Sequence, residues 1–207
     1  MIQNPSQMAI EDIDVKHIDL KPEETFDLIT HHEQKSHRHQ KTAQPQIERS
    51  LIIACGALAK EILLLINQHA FQNVDLTCLP ASLHNRPQQI IPHLQKKLTQ
   101  LRSQYRHIFI GYGDCGTGGM LDKFIEKEGL MRIEGTHCYG FFAGLDDFQR
   151  IMDEDPGSFF LTDYLARHFD HLIIKGMGID RFPQLKDEYF RHYNRLIYLA
   201  QSDDDAL

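Results

Sequence analysis

Short apolar runs and longer helical segments alternate along the chain between residues 50 and 201. The run at 50–55 has the apolar character of a strand buried on both faces, and residues 57–68 have the length and composition of a buried helix. Residues 88–101 form an amphipathic segment, whose apolar positions on one helical face are 90, 91, 94, 98 and 101. This alternation predicts an α/β fold with a mostly parallel sheet and helices on both faces, in a Rossmann-like arrangement.

The same patterns predict the other elements of the domain. Further strands are expected at 74–80, 107–110, 129–135, 172–174 and 195–200. Further helices are expected at 120–127, 145–154, 158–169 and 183–193. The α/β domain is therefore expected to span residues 48–201, followed by an acidic C-terminal tail at 202–207.

Residues 1–47 have poor apolar periodicity and are rich in Gln, Glu, His and Lys, which predicts a polar, His-rich and largely flexible tail. Within this tail, residues 11–20 have the pattern of a short strand. Residues 22–30 have the pattern of a helix with acidic residues in its first turn. The histidines of 31–39 either bind a metal loosely or belong to a solvated linker, and an unstructured tract favours the linker because it cannot hold imidazoles in fixed geometry.

Charge and composition exclude several classes of partner. The chain has 22 Lys plus Arg against 29 Asp plus Glu, a formal charge of −7, which argues against non-specific binding to nucleic acid. No apolar run approaches the roughly 18 residues of a membrane span, and the polar residues 1–6 lack the features of a signal peptide. We therefore expect a cytoplasmic protein with neither membrane nor nucleic-acid partner.

A glycine-rich loop at 111–119 lies between the strand at 107–110 and the following helix. It presents Cys115, with two glycines before it and three after it that allow a sharp turn and a close approach to a ligand. Free N–H groups at the helix start would favour an anion or a thiolate. The loop is more typical of a functional site than of a simple connection.

Four reactive positions follow other predicted strands. In parallel sheets, ligands bind at the carboxyl ends of strands, which predicts one crevice around Cys55, His84, Cys115 and the pair His137–Cys138. Because neighbours in an extended segment point in opposite directions, only one member of that pair is expected to face the crevice. Thiolate and imidazole are the ligands that tetrahedral zinc prefers, so the predicted metal ligands are Cys55, Cys115, Cys138 and His84 or His137.

The sequence also supports other interpretations. Cys115 is a candidate nucleophile or acid/base thiol, with Asp114 and His137 or His84 as proton partners, and two thiols at strand ends allow a two-base arrangement like that of cofactor-independent racemases. Asp114 is equally typical of a turn, and free cysteines are often simply buried, as expected for Cys78.

The predicted small-molecule contacts are His84, Asn85, Arg86, Gly116, Thr117, Gly118 and Tyr139. Arg86 is suited to bind a carboxylate or phosphate, or it is simply a surface residue. The glycine-rich loop at 111–119 lacks both a P-loop lysine and the GxGxxG pattern, which argues against phosphate or nucleotide binding there.

Five motifs occur together in one order, at residues 54–57, 83–87, 112–119, 137–144 and 161–169. This ensemble resembles the bacterial and archaeal family called domain of unknown function 1638, over about residues 50–201. Members of that family are often encoded near components of corrinoid-dependent methyltransferases. The resemblance thus implies one-carbon metabolism, with the chain acting either as a metal-assisted transferase of thiol or methyl groups or as a non-enzymatic accessory protein. A corrinoid would be met only through a protein partner.

Overall fold

The computed structural model describes residues 20–28 and 49–201. Its main sheet has five strands in the order β1–β3–β2–β4–β5. These strands are β1 Phe26–Leu28, β2 Ser50–Cys55, β3 Val74–Leu79, β4 His107–Gly111 and β5 Met131–Arg132. The last four run parallel, and β1 pairs antiparallel with β3 at one edge. The structure confirms the predicted α/β fold with a mostly parallel sheet.

Helices α1 Ala59–Gln68, α2 Ile90–Leu101 and α3 Met120–Glu128 cover the two faces of this sheet. Alternate side chains of β2 separate the two cores, because successive residues of a strand point to opposite faces. Leu51 and Ile53 belong to the core that includes α2 and α3, whereas Ala54 belongs to the core that includes α1. The sheet is thus buried on both faces, as its continuous apolar strands require.

After β2 the chain forms β3 on one side of it and then crosses to form β4 on the other side, so the strand order reverses at β2. The register pairs Ala54 of β2 with Gly111 of β4, so both strands end at the same level. In open α/β sheets, ligands bind outside the carboxyl ends of the strands where the strand order reverses. That position lies between Cys55 and the loop after Gly111.

The remaining chain forms smaller elements beside the sheet: α4 Gly140–Ala143, α5 Leu145–Glu154, β6 Ser158–Thr162, α6 Asp163–Arg167, a π-helical turn Asp170–Lys175, α7 Leu185–Phe190 and β7 Arg195–Leu199. Strands β6 and β7 form a separate parallel pair. The bounds of α5 agree with the predicted helix at 145–154. In the part of the chain that the structure describes, no helix has both the length and the apolar character needed to cross a bilayer.

The helix expected at 158–169 is confirmed only at α6, and the strand expected at 172–174 is wrong. The helix expected at 158–169 begins with strand β6, where alternate side chains are buried, and Thr162 then caps α6 by accepting a hydrogen bond from the Leu165 amide. The strand expected at 172–174 is part of the π-helical turn, because Leu172 and Ile173 pack together against Leu165. Short apolar runs do not distinguish a strand from a buried helical turn by periodicity alone.

Part of the N-terminal segment belongs to the fold. The helix expected at 22–30 is wrong over Phe26–Leu28, which form β1. Phe26 is buried in the α1 core, and the Asp27 carboxylate accepts hydrogen bonds from the Thr77 hydroxyl and from Lys97 Nζ. The strand predicted at 11–20 lies outside the described residues except for Leu20, and the segments 31–39 and 202–207 lie outside them entirely.

Candidate functional site

The loop after β4 holds Cys115 in a left-handed backbone conformation, with φ of +47°. A residue with a Cβ adopts this region only at some cost, and such residues often occur at functional sites. Two backbone hydrogen bonds fix the loop against the segment after β5. The Asp114 amide donates to the Gly135 carbonyl and the Cys115 amide donates to the Thr136 carbonyl, each over 2.9 Å.

Gly113 allows this loop to touch residues 137 and 138. A Cβ at Gly113 would lie 2.6 Å from the carbonyl carbon of His137 and 2.7 Å from the amide nitrogen of Cys138, so no larger residue fits there. The close approach brings two sulfurs together, with Cys115 Sγ 3.1 Å from Cys138 Sγ. The Gly113 amide also donates to Cys138 Sγ over 3.3 Å.

Residues 136–139 turn, so both His137 and Cys138 line one cavity, contrary to the expectation that only one would face it. The turn is closed by hydrogen bonds from the Gly140 amide to the His137 carbonyl and from the Phe141 amide to the Cys138 carbonyl. The rule of opposite side chains holds only for an extended segment.

A second histidine reaches the same place from β3. The short 3₁₀ helix Ala81–Asn85 brings His84 Nε2 within 3.3 Å of His137 Nε2. The Tyr139 amide donates to His137 Nδ1 over 3.2 Å, which orients that ring. One nitrogen of His84, one nitrogen of His137 and the sulfur of Cys115 all lie within 4.8 Å of one another. Three of the predicted metal ligands therefore meet.

The protonation states suit a metal site. A hydrogen bond from the Cys138 thiol lowers the pKa of Cys115 well below that of a free thiol, against the effect of burial, and His84 and His137 lower it further. The same sulfur contact, together with burial, raises the pKa of Cys138. Burial lowers the pKa of His137 to about 4, so this imidazole is neutral near pH 7.

Two other predicted metal ligands lie beside this group. Cys138 contacts Cys115 but is not among the three donors that lie within 4.8 Å of one another, and neither is Cys55. Burial raises the pKa of Cys55 to about 12, so its thiol is protonated near pH 7. Cys55 nevertheless lines the same cavity. Cys78 is fully buried in the α1 core, as predicted.

Asp114 and Thr117 are occupied in shaping the loop. The Asp114 carboxylate accepts hydrogen bonds from the Thr117 hydroxyl and from the amides of Gly118 and Gly119, and the Thr117 hydroxyl accepts from the Leu121 amide. Partial burial raises the pKa of Asp114, but these hydrogen bonds outweigh it and the net pKa is lowered. The expectation of free N–H groups at the start of α3 is therefore wrong for the amides of Gly119 and Leu121, which these side chains bond.

A cavity of about 1190 Å³ lies between the strand ends and the elements after residue 136, and its lining includes His84, Asn85, Cys115, His137 and Tyr139. The other predicted contacts, Arg86, Gly116, Thr117 and Gly118, are not part of its lining. Arg86 is exposed. Asn85 donates through Nδ2 to the Leu172 carbonyl over 2.6 Å and so joins the 3₁₀ helix after β3 to the π-helical turn.

The cavity wall is aromatic and nearly uncharged, and of its Phe and Tyr rings only Tyr139 is among the predicted small-molecule contacts. Ten of its lining side chains are Phe or Tyr, and Asp153 supplies the one carboxylate. No Lys or Arg of residues 20–28 and 49–201 lines it. The Phe160 ring packs between Tyr139 and Phe148. Its centroid lies 5.5 Å from that of Tyr139 and 5.0 Å from that of Phe148. The Ser158 hydroxyl is buried in this wall and has no hydrogen-bond partner among the described residues.

The fold and site define an α/β protein with a His/Cys/His cluster at the carboxyl ends of its parallel strands. The chain belongs to the family described as "Protein of unknown function (DUF1638)", whose family model matches residues 78–207. That range contains His84, Cys115, His137 and Cys138, whereas Cys55 and the motif at 54–57 precede it. Comparison with curated proteins gives no match, and comparison with solved structures also gives none.

Proposed function

We propose that His84, Cys115 and His137 bind one zinc ion and leave its fourth position open toward the cavity. The observation that carries this proposal is that the three donor atoms lie within 4.8 Å of one another. Ligands of a tetrahedral zinc ion, with bonds of about 2.0–2.3 Å, lie roughly 3.3–3.8 Å apart. The donors thus need only small movements, and a thiolate beside a neutral imidazole is the combination that zinc prefers.

Cys138 supports this site from outside the donor set. Its S–H contacts the Cys115 sulfur at 3.1 Å, and its own sulfur accepts the Gly113 amide. Outer hydrogen bonds of this kind orient metal ligands and adjust their basicity. Zinc binding at His137 Nε2 would place the ring hydrogen on Nδ1, so the Tyr139 amide, which donates to Nδ1, would have to give up that contact.

A zinc ion with an open position would hold a substrate thiol as its thiolate near neutral pH. The chain's own residues would then bind the substrate in the aromatic cavity, exclude water from it and keep the ligand sulfur of Cys115 hydrogen-bonded. We propose transfer of a thiol or methyl group, linked to corrinoid-dependent one-carbon metabolism as the family resemblance implies. We also propose a Rossmann-like sheet, supported by the reversal of strand order between β2 and β4. The proposed setting is the cytoplasm.

A non-enzymatic role in the same system is the first alternative. In that case the chain would bind metal and dock to a protein that carries a corrinoid. Tight zinc binding without turnover of small thiols and methyl donors would support the accessory role.

The second alternative is a metal-free cysteine enzyme, and the left-handed Cys115 beside two imidazoles favours it. A racemase that uses Cys115 and Cys138 as its two bases is disfavoured, because such bases must lie on opposite sides of a substrate carbon. Two sulfurs 3.1 Å apart leave no room for that carbon.

The test is metal content, measured by elemental mass spectrometry on the untagged full chain. We expect about one zinc per chain, and a loss of most of it in Cys115→Ser and in His137→Gln, since two remaining donors hold zinc weakly. His93→Gln is a matched control, because His93 lies on α2 and bonds the Gln89 carbonyl over 2.8 Å. Absence of zinc, or full zinc in Cys115→Ser, would contradict the proposal. Rapid alkylation of Cys115 in a protein that binds no zinc would support the metal-free enzyme.

A further inference from the structure

Cys115 and Cys138 come from different loops, yet their sulfurs are in contact at 3.1 Å. The backbone holds them there, through the close approach at Gly113 and the hydrogen bond from the Cys115 amide to the Thr136 carbonyl. A disulfide has an S–S bond of about 2.05 Å, so a relative movement of about 1 Å would join these sulfurs.

Both cysteines line the cavity, where Cys138 is partly exposed and Cys115 is buried. Cys78 is fully buried in the α1 core and does not line the cavity. Cys55 lines it too, but Cys115 and Cys138 are the cysteines whose sulfurs lie in contact. A small oxidant that enters the cavity thus meets a dithiol rather than an isolated cysteine.

We propose that Cys115 and Cys138 are a modification site that a hydroperoxide converts reversibly to a disulfide. If zinc binds as proposed, oxidation and zinc binding at Cys115 exclude each other, because a disulfide sulfur is no longer a thiolate ligand. This exclusion rests on the proposed function.

The chemistry balances in two steps. With hydrogen peroxide, the Cys115 thiolate attacks one peroxide oxygen, an S–O bond forms, the O–O bond breaks, and the departing hydroxide takes a proton from solvent to become water. The Cys138 sulfur then attacks the Cys115 sulfenic sulfur, an S–S bond forms, the S–O bond breaks, and hydroxide leaves with the thiol proton as water. Two thiols are oxidised to one disulfide while one hydroperoxide is reduced. An external dithiol reverses the change by thiol–disulfide exchange.

The first experiment uses the zinc-free full chain and hydrogen peroxide, read by intact mass, thiol titration under denaturing conditions and peptide mapping. We expect the mass to fall by two hydrogens, the four free thiols to fall to two, and one cross-linked peptide to join Cys115 with Cys138. Dithiothreitol should restore all four. Unchanged thiols, or a cross-link from Cys115 to Cys55, would overturn the proposal.

Variants separate this pair from general oxidation. Cys138→Ser keeps a hydroxyl as acceptor for the Gly113 amide, so the loop contact is retained. In this variant the reaction should stop at the addition of oxygen to Cys115. Cys78→Ala is the control and should still form the cross-link. A disulfide formed in Cys138→Ser at the wild-type rate would contradict the assignment.

The second experiment loads the chain with zinc and follows the free ion with a chromogenic chelator. Peroxide should release zinc as the disulfide forms, and dithiothreitol with added zinc should restore binding. A disulfide that forms while zinc stays bound would show that oxidation and zinc binding do not exclude each other. If the chain binds no zinc at all, the proposed function fails, whereas the first experiment still decides whether the disulfide forms.

Discussion

Cys115 has a left-handed backbone, and its sulfur accepts a hydrogen bond from the Cys138 thiol. This contact is the largest cause of its lowered pKa, and it exceeds the opposing effect of burial. Folding thus favours the Cys115 thiolate. The Cys115 thiolate therefore stabilises the folded state, and this contribution is fully present above the pKa of an unfolded thiol. It is lost as the pH falls through the lowered pKa of Cys115 in the folded state, because the unfolded chain binds the proton more tightly.

The reactivity of Cys115 should therefore depend only weakly on pH around neutrality. An ordinary thiol with a pKa of about 8.5 loses roughly fiftyfold in alkylation rate between pH 8.5 and pH 6.5. In the zinc-free protein, we expect Cys115 to lose less than about threefold over that range. The rate of modification of the Cys115 peptide by iodoacetamide, followed by mass spectrometry, measures this.

Two substitutions at Cys138 identify the cause. Cys138→Ala removes the hydrogen-bond donor, so the alkylation profile should move toward that of an ordinary thiol. Cys138→Ser keeps an O–H donor and should move it less. A wild-type profile that already matches a free thiol would show that the sulfur contact does not lower the pKa.

The sequence was sufficient to predict one crevice that contains His84, Cys115 and the pair His137–Cys138, because the register of parallel strands brings their carboxyl ends to one level. It did not decide between His84 and His137 as metal ligands. It was not sufficient for Cys138. Whether a side chain faces a site depends on the local backbone, and residues 136–139 form a turn rather than the extended segment that the prediction assumed. The hydrogen bonds of Asp114 also depend on the loop conformation, which a list of residues does not contain.

At the scale of elements, the loop and α3 form one unit. The Asp114 carboxylate accepts three hydrogen bonds from residues 117–119, and Thr117 caps the Leu121 amide. The bonds to the amides of Gly119 and Leu121 satisfy donors at the start of α3 that would otherwise lack partners in the helix. The loop that presents Cys115 is therefore shaped by the capping of the helix that follows it.

Loss of this cap should weaken both the fold and the metal site. We expect Asp114→Ala to lower the free energy of unfolding in urea by about 1–2 kcal/mol, in the range measured for lost caps. Zinc affinity should also fall, because the Cys115 loop is less firmly held. Asp114→Asn keeps a side-chain oxygen as acceptor and should show a smaller effect.

Asp147→Ala is the control for this substitution. Asp147 lies on the exposed surface of α5 and pairs with Arg150, and such surface pairs contribute little. Equal losses in Asp114→Ala and Asp147→Ala would mean that the Asp114 hydrogen bonds have no special role.

Elements with long amphipathic patterns were predictable, as α2 and α5 illustrate. Elements built from short apolar runs were not. Residues 158–162 form a strand because β7 pairs with them, and residues 170–175 form a π-helical turn that packs against α6. Both outcomes depend on partners distant in the chain, which local periodicity does not encode.

The cavity is a property of the whole molecule. Its walls come from the loops after β2, β3 and β4 and from elements between residues 136 and 193, so no single segment predicts its size or its charge. Aromatic residues that look like ordinary core positions in the sequence line its surface. The predicted anion contact Arg86 is exposed and outside the lining, whereas Asp153 is part of it.

The charge of the wall predicts which thiols the zinc-loaded protein binds. A carboxylate without a neighbouring cation in the described lining should favour a cationic thiol over an anionic one of similar size. We expect cysteamine to bind about threefold to tenfold more tightly than thioglycolate, with uncharged 2-mercaptoethanol between them. Substitution of cobalt for zinc allows the measurement, because a thiolate that enters the open position changes the visible absorption of the metal. Asp153→Asn should remove the preference, while Asp147→Asn on the same helix should retain it. Tighter binding of thioglycolate than of cysteamine would contradict this prediction. It would indicate a cation beside the site and would support Arg86 as the contact for a carboxylate or phosphate.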